Sequence, residues 1–334
     1  MGAPPPPADD PVRWGVIGAT STVARLAVLP ALAASPTAHL VAVASRSRPT
    51  GPIDGVGDAR VLPGYQEVLD DPAVEAVYVP LPNSLHAEWV GRAAAAGRHV
   101  LCEKPLAPSR EHAEAMARAC RSARVVLMEA YMTPFHPRSA ALAELASSGR
   151  LGPVRFARGA FTGVLSRADD HRWRPEMGGG ALLDVGIYCL APVLAAAGRM
   201  PRAVAGTARV TPGGVDASFS GWLDLGGGAA AAIECSFETP ERQLLEVVGS
   251  EAAAVVERAF TPGPDDTGIE LRHRDGRVET LPTEGGDPYL GMVEHFADAV
   301  RGRAPLQRPP AASVELAGLL DDLGAAAGLG PRGG

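Results

Sequence analysis

Lys104 is the only lysine in a chain of 334 residues whose other basic side chains are all arginine. It stands in Arg98-His-Val-Leu-Cys-Glu-Lys-Pro-Leu106, where a short apolar strand, 100–102, runs straight into two charges and a proline. Arginine is effectively never deprotonated, whereas a lysine ammonium is compact and its protonation responds readily to burial. One lysine at the end of an apolar strand therefore points to chemistry that arginine cannot do. Pro105 fits the same reading, because an X-Pro bond can take the cis form in a tight, specified turn.

Two further stretches carry chemistry of a different kind. In Gly15-Val-Ile-Gly18-Ala19-Thr20-Ser21-Thr22-Val23-Ala24, an apolar strand meets a helix through a small-residue turn. Glycines in such a turn let the backbone approach a dinucleotide pyrophosphate at the helix N-terminus. Here Thr20 and Val23 stand where the later glycines are expected, although Ala24 is small, and the hydroxyls of Thr20, Ser21 and Thr22 offer substitute contacts. The second stretch is Ser45-Arg46-Ser47-Arg48, at the end of the next strand. An NAD enzyme places Asp or Glu there for the ribose hydroxyls. A guanidinium flanked by hydroxyls suits a 2′-phosphate instead, so the expected cofactor is NADP(H), bound in part by Ser45 and Arg46.

The elements that must position these residues alternate strand and helix. Strands are predicted at 13–18, 39–45, 74–79, 100–102 and 125–129, with helices at 22–34, 65–70, 84–96 and 110–122 between them. The run Leu40-Val-Ala-Val-Ala44 lacks alternation and so is buried on both faces. This rhythm makes an α/β fold with a doubly wound parallel Rossmann sheet. Ligands bind such sheets outside the carboxyl ends of the strands, where Gly18, Ser45, Pro80 and Lys104 all fall. After a helix at 136–147, strands at 154–161, 204–210, 218–225, 230–237 and 244–248 mix apolar and polar positions, as a sheet with two different faces requires. Glycine turns at 213–214 and 226–228 make much of that second sheet antiparallel.

Composition narrows the function classes. The net charge of −7 argues against a nucleic-acid partner. The four cysteines form no Cys-x-x-Cys pair, and no Cys or His cluster has zinc-ligand spacing, so no metal is expected. Buried reduced thiols, the lack of a signal-peptide pattern and the lack of an uncharged run long enough to span a bilayer make a cytoplasmic protein the expectation, with no membrane partner. The expected division is a Pro-rich tail at 1–11, a dinucleotide-binding domain at 12–130, a substrate-binding and oligomerisation domain at 131–323 and a Gly-rich flexible tail at 324–334.

Three motifs in order carry a family resemblance: Leu81-Pro-Asn83-x-x-His86, Glu103-Lys104-Pro105, and Gly178-Gly-Gly-Ala-Leu-Leu-Asp184-Val-Gly-Ile-Tyr188. Together they resemble the glucose–fructose oxidoreductase / inositol dehydrogenase (Gfo/Idh/MocA) family, over nearly the whole chain from Arg13 to about Leu320. The resemblance implies a C-terminal α/β domain on a large open sheet. It also implies a sugar-like small-molecule substrate, and a homo-oligomer, dimer or tetramer, joined through that sheet. The threonine-rich first turn departs from the family's glycine pattern, which puts the pyrophosphate pose in question but not the fold.

The resemblance also assigns roles. Asp184 and Tyr188 are four apart on a predicted helix at 181–197 and project from one face. On local context alone, a tyrosine beside Ile187 and Leu190 reads as core; the resemblance makes it the proton donor and acceptor. A phenol titrates near pH 10, so work near neutrality needs a fall of roughly 3 units, about 4 kcal/mol. An ammonium about 4 Å away at an effective dielectric near 20 supplies on the order of 4 kcal/mol, and Lys104 fills that role while holding the substrate oxygen. Asp184 would orient Lys104 or a sugar hydroxyl. Glu103 would anchor the turn or the ribose, Pro80, Leu81 and Asn83 would pack along the nicotinamide, and His86 would cap or support them. Arg172 and Trp173 are candidates for the substrate side, while His136 and the Asp169-Asp170-His171 run read as solvated loop.

The reading is therefore an NADP(H)-dependent oxidoreductase acting on CH–OH groups of a sugar or sugar-derived alcohol or ketone. NDP-ketosugar reductases of deoxysugar pathways and xylose or trans-dihydrodiol dehydrogenases are the named alternatives, with arginines 155, 158, 167, 172 and 174 available for a nucleotide-sugar pyrophosphate. A dinucleotide-sensing regulator on the same scaffold is the non-enzymatic alternative, since fold does not imply activity. A short-chain dehydrogenase is excluded by spacing: the residue four before the only lysine is Val100, not tyrosine.

Overall fold

Six short, largely apolar strands form the first sheet: β1 (Val12–Ile17), β2 (Ala38–Ala44), β3 (Arg60–Leu62), β4 (Ala76–Val79), β5 (His99–Glu103) and β6 (Leu127–Ala130). Their order is β3-β2-β1-β4-β5-β6, and every pairing is parallel. The strand order reverses between β1 and β4, which is where a doubly wound sheet opens its ligand crevice. The computed structural model describes residues 10–46 and 53–330. Helices α1 (Leu29–Ala34), α2 (Tyr65–Asp70), α3 (His86–Ala95) and α4 (Arg110–Ala123) connect the strands as expected. A π-helical stretch, Ala24–Val28, opens the first of these helices.

The second sheet holds eight strands: β7 (Val154–Val164), β8 (Ala203–Val210), β9 (Asp216–Gly226), β10 (Ala229–Ser236), β11 (Glu238–Gly249), β12 (Ala252–Glu257), β13 (Ile269–His273) and β14 (Val278–Leu281). Their order is β14-β13-β12-β11-β7-β10-β9-β8; only β7 and β10 run parallel, and the remaining pairs are antiparallel. Helix α5 (Pro137–Ser147) precedes this sheet in the chain, and α6 (Ile187–Ala197) packs on β7, β10 and β11. The Cys189 thiol donates to the Glu234 carbonyl at 3.4 Å, which shows how closely that helix lies on the sheet.

The chain divides into two compact units, and the division is discontinuous. Residues 1–107, 111–131 and 289–315 form the first, and 108–110, 132–288 and 316–334 the second. The continuous domain expected at 131–323 thus yields α7 (Pro288–Val300) and the chain after it to the first unit, from Tyr289 to Glu315. The physical reason is aromatic: Phe296 of α7 is fully buried against Trp14 of β1, ring centroids 5.0 Å apart, and covering such a pair stabilises by about 1.5–3 kcal/mol per side chain.

Other expectations change as well. Strands β3, β12, β13 and β14 and helices α7 and α8 (Pro310–Ala326) have no counterpart in the sequence reading. Helix α8 runs past 324, where the flexible tail was expected to start. Of the N-terminal tail, Asp10 and Pro11 are held by the Arg301 guanidinium, which donates to both of their carbonyls. Residues 1–9 and 331–334 of the expected tails, and Ser47 and Arg48, lie outside the described residues. Finally, the helical stretch Pro175–Ala197 is long and apolar enough to cross a membrane on composition, contrary to expectation, but 67% of its apolar window is buried inside the protein. It is the core helix of the second unit.

Candidate active site

In the first unit the turn after β1 is tied directly to β2. The Gly18 and Ala19 amides both donate to the Ala44 carbonyl, at 2.8 and 3.0 Å. Gly18 has φ +93°, and a Cβ there would stand 2.9 Å from Leu81 Cδ2 and 3.3 Å from the Pro80 carbonyl. Only glycine satisfies both the conformation and the space. The turns after β1 and β4 therefore meet at the switch point and form the cradle that a dinucleotide needs. Two of the three hydroxyls are already engaged. Ser21 Oγ accepts the Ala24 amide at 3.2 Å, and Thr20 Oγ1 shares a short hydrogen bond with Ser45 Oγ. Thr22 and Val23 form the first helical residues, ahead of the π stretch.

At the end of β2, Ser45 is buried and Arg46 is exposed. Tyr65, at the start of α2, takes a hydrogen bond from the Arg46 backbone; burial first of all raises its phenol above the ordinary range, against the lowering influence of Arg46. Tyr65 also meets Trp89 edge-on at 5.0 Å, and the Arg92 guanidinium lies over Trp89 at 4.9 Å. This aromatic brace gave no signal in the sequence.

The Lys104 turn is fixed from several sides. The Lys104–Pro105 peptide is cis. Tyr78 Oη donates to Glu103 Oε1 at 2.6 Å, and the Lys104 amide donates to Glu103 Oε2 at 3.2 Å, so Glu103 anchors the turn. Burial and the adjacent carboxylate push the Tyr78 phenol well up. Just beyond, the Leu106 amide donates to Glu129 Oε1 at 2.7 Å; Glu129 in turn accepts from Ser313 at 2.8 Å and Arg308 at 3.1 Å. His86 is fully buried, with Nε2 2.8 Å from the Leu81 carbonyl and Nδ1 3.1 Å from that of Pro105. It fastens the turn after β4 to the turn after β5. Burial lowers its pKa, while the facing carbonyls pull the other way.

In the second unit one helix carries the catalytic candidates. It opens with a second π stretch, Leu182–Gly186, and continues as α6; such wider turns recur at functional sites. Its start is set by Asp216, 2% exposed, which accepts the Leu182 amide at 2.6 Å. Gly180 has φ +114°, and a Cβ there would overlap the Asp216 carboxylate. Tyr188 is 7% exposed, packs edge-on to Phe161 at 5.4 Å, and its hydroxyl lies 3.8 Å from Met132 Sδ.

Asp184, one turn before Tyr188, pairs with Arg172 Nε at 2.9 Å. Arg172 is held in turn by Asp170, which accepts its amide at 3.0 Å and pairs with its guanidinium at 3.3 Å. The Gly180 amide donates to the Arg172 carbonyl at 3.0 Å and the Gly179 amide to that of Arg174 at 3.1 Å, so the triple glycine clasps this loop to the helix start. Trp173 meets Phe237 edge-on at 5.4 Å.

The cofactor candidates Gly18, Ala19, Thr20, Ser21, Thr22, Val23, Ser45, Arg46, Pro80, Leu81, Asn83, His86, Glu103 and Lys104 all belong to the first unit; Asp184, Tyr188, Arg172 and Trp173 belong to the second. Two expectations of solvated loop are corrected. His136 is fully buried and caps α5, its Nδ1 accepting the Arg138 amide at 3.1 Å. Asp170 caps the 3-10 turn His171–Trp173, whereas Asp169 is exposed and pairs with Arg167. Of the arginines considered for a pyrophosphate, Arg158 is committed to Glu234. Among the described residues no group of three or more His, Cys, Asp or Glu is arranged to hold a metal.

This geometry has counterparts among known proteins. The family model GFO/IDH/MocA, an oxidoreductase family with an NAD-binding Rossmann fold, matches residues 12–131. The model of the GFO/IDH/MocA C-terminal domain matches residues 139–255. The chain is 38% identical over 298 residues to a D-xylose 1-dehydrogenase (NADP(+)) of Haloferax volcanii, covering 88% of this chain and 91% of the relative. It is 34% identical over 328 residues to a dTDP-3,4-didehydro-2,6-dideoxy-alpha-D-glucose 3-reductase of Saccharopolyspora spinosa, covering 95% and 97%. The crystal structure of a 3-ketoreductase from Actinomadura kijaniata in complex with NADP and TDP-benzene superposes with a TM-score of 0.88 at 30% identity, covering 95% of this chain and 98% of that one.

Proposed function

The chain belongs to the Gfo/Idh/MocA family of oxidoreductases, and we propose that within it this chain is an NADP(H)-dependent oxidoreductase of a sugar or sugar-derived alcohol or ketone, with Tyr188 as proton donor and acceptor assisted by Lys104. One observation carries the reading. The chain's only lysine, half-buried, directly follows β5 on a sheet whose β1–β4 cradle requires glycine at 18 and whose β2 is followed by Ser45 and Arg46 rather than a carboxylate.

NADP(H) would be held by the Gly18–Ser21 turn at its pyrophosphate, by Ser45 and Arg46 at the 2′-phosphate, and by Pro80, Leu81 and Asn83 along the nicotinamide. Bound there, it supplies or accepts the hydride. The protein's own residues handle the remaining charge. Tyr188 Oη donates its proton to the substrate oxygen in the reducing direction and takes it back in the oxidising one. Within the second unit its hydroxyl lies 3.8 Å from Met132 Sδ, and a thioether is only a weak acceptor. The Lys104 ammonium would oppose the charge developing on the substrate oxygen; an ammonium and an anion about 4 Å apart attract by on the order of 4 kcal/mol at an effective dielectric near 20. Asp184 is positioned by Arg172, and Trp173 serves the substrate side.

Among substrates, a ketosugar carried on a nucleoside diphosphate is the narrower reading, supported by likeness to the Saccharopolyspora spinosa and Actinomadura kijaniata reductases; xylose or trans-dihydrodiol oxidation is the next. We place the protein in the cytoplasm, as a dimer or tetramer joined through the open face of the second sheet, where Trp222 is 51% exposed beside Phe156. The test is titration of the purified protein with NADPH and with NADH by nicotinamide fluorescence, followed by turnover on NDP-ketosugars and free sugars. Strong preference for NADPH with turnover on one of these is expected. Preference for NADH removes the 2′-phosphate assignment, and binding without turnover on any sugar favours a dinucleotide-sensing regulator.

A further inference from the structure

We infer that Arg172 is a positioning residue: its guanidinium fixes the Asp184 carboxylate and sets a permanent positive charge one helical turn from the Tyr188 phenol. This rests on the assignment of Tyr188 as the proton carrier. The sequence offered Arg172 to the substrate, but the structure pairs its guanidinium with two carboxylates of its own unit. Nε meets Asp184 at 2.9 Å, Nη1 meets Asp170 at 3.3 Å, and its backbone is pinned through both the amide and the carbonyl. Asp184 and Tyr188 are four residues apart, a spacing that brings side chains to about 5–6 Å on one helix face. A cation gripping the first is therefore a near neighbour of the second. The Asp184 carboxylate, above all, holds the guanidinium above its usual range, with Asp170 and Tyr188 acting in the same direction.

The grip explains the triple glycine. Gly180 must adopt φ +114° beside the buried Asp216, and its amide closes on the Arg172 carbonyl. The motif thus carries an arginine to the helix rather than opening a space for substrate. Among the described residues of this unit, Arg172 acts on the phenol electrostatically and is paired with Asp184 and Asp170, Asp170 meets His171, and Asp216 holds the start of the same helix. Of these, Arg172 alone is a permanent cation, so it offsets the carboxylates that would otherwise oppose loss of the phenol proton.

The experiment reads the phenol directly. Alkaline titration of tyrosinate absorbance is recorded for the wild type and for Tyr188→Phe, and the difference isolates Tyr188. Arg172→Gln is expected to move that ionisation upward by about 1 unit or more, and the lower limb of the pH profile for alcohol oxidation should move with it. Arg172→Lys, which keeps the charge, should stay near the wild type on this axis while kcat falls. Asp184→Asn should move the ionisation the opposite way, a sign that a merely structural role would not produce. His171 does not contribute to the tyrosinate signal. If Arg172→Gln and Arg172→Lys titrate Tyr188 alike and at the wild-type position, the proposal is overturned. Should Arg172→Gln not fold, a downward shift in Asp184→Asn with an unmoved Arg172→Lys supports it, and no shift in Asp184→Asn overturns it. Full turnover by Tyr188→Phe is a different failure: it removes the tyrosine assignment itself.

Discussion

Asp216 is the residue on which the helix of the catalytic candidates depends at its start. It is 2% exposed, opens β9, and accepts the Leu182 amide at 2.6 Å from the first helical turn. A hydrogen bond from a backbone amide to a charged acceptor is worth about 1.5–3 kcal/mol, and an anion at a helix N-terminus adds about 0.3–1 kcal/mol. Asp216→Asn keeps the shape and one acceptor, so a loss of about 1–2 kcal/mol is expected. Asp216→Ala leaves the Leu182 amide buried without this acceptor and should cost about 2–4 kcal/mol. In a unit of this size that lowers the melting transition by roughly 5–15 °C. The functional consequence is selective. Asp184 lies two residues beyond Leu182, so the Arg172–Asp184 pair loosens and kcat falls about 10- to 100-fold. NADPH affinity, set by the first unit, stays unchanged. Differential scanning fluorimetry, NADPH fluorescence titration and initial rates separate these quantities. An Asp216→Ala protein that melts at the wild-type temperature with wild-type kcat would refute the reasoning.

In the first unit, Glu75 accepts the Arg13 amide at 3.0 Å and pairs at 3.0 Å with Arg301, itself almost fully buried. Burial opposes its charge, but the Arg301 hydrogen bond, the Arg13 amide and both guanidinium charges outweigh burial and hold the carboxyl below its usual value. A depressed folded pKa stabilises above the unfolded value and loses that contribution as pH falls through the folded one. Glu75→Gln should therefore cost about 1–3 kcal/mol at pH 7, with the gap to the wild type closing below about pH 4 in urea melts. Lys104→Met should abolish turnover yet leave the NADPH dissociation constant within about tenfold; unchanged turnover would take Lys104 out of the mechanism. All four cysteines are buried and none forms a disulfide; burial raises the thiols of Cys102 and Cys189, and that of Cys120 to about 11. Ellman's reagent should accordingly find no fast-reacting thiol until the protein is unfolded, and a fast equivalent in the native protein would contradict this.

What the sequence made legible follows from the range of the forces involved. The run Leu40-Val-Ala-Val-Ala44 announces a buried parallel strand because burial on both faces removes alternation, a local pattern. Glycine turns at 213–214 and 226–228 announce hairpins for the same reason, and β8, β9 and β10 do pair antiparallel there. Strand β3 is three residues at a sheet edge, too short to carry a period. In β13 and β14 each charged residue lies opposite an uncharged one in register, as with Glu279 against Leu271 and Glu270 against Thr280, and such mixed short segments read as loop when each strand is seen alone. The site divides in the same way. The candidates Gly18, Arg46 and Lys104 stand out in the sequence because each lies just past the end of an apolar strand. The grip of Arg172 on Asp184, the Asp216 support and the contact of Tyr65 with the Arg46 backbone join residues between 12 and 34 positions apart, and no periodicity marks them. The triple glycine was legible as part of a family motif. That it delivers an arginine to a helix was not, since the partner carboxylate lies on the far side of the turn.

The distribution of cations then has a physical logic. Arg172 holds Asp184, Arg301 holds Glu75, and Arg308 holds Glu129 while lying over the Tyr131 ring at 5.0 Å. Each of these tasks is static, and a planar guanidinium that never deprotonates, with donors in a fixed fork, performs it at little conformational cost. Lys104 is placed differently. Its backbone is locked by the Glu103 carboxylate and by the turn that His86 fastens, and its four-carbon stem carries a compact ammonium rather than a planar fork. In the proposed mechanism Lys104 meets a substrate oxygen whose charge changes during turnover, a task that suits a compact ammonium on a flexible stem better than a guanidinium fixed in a fork.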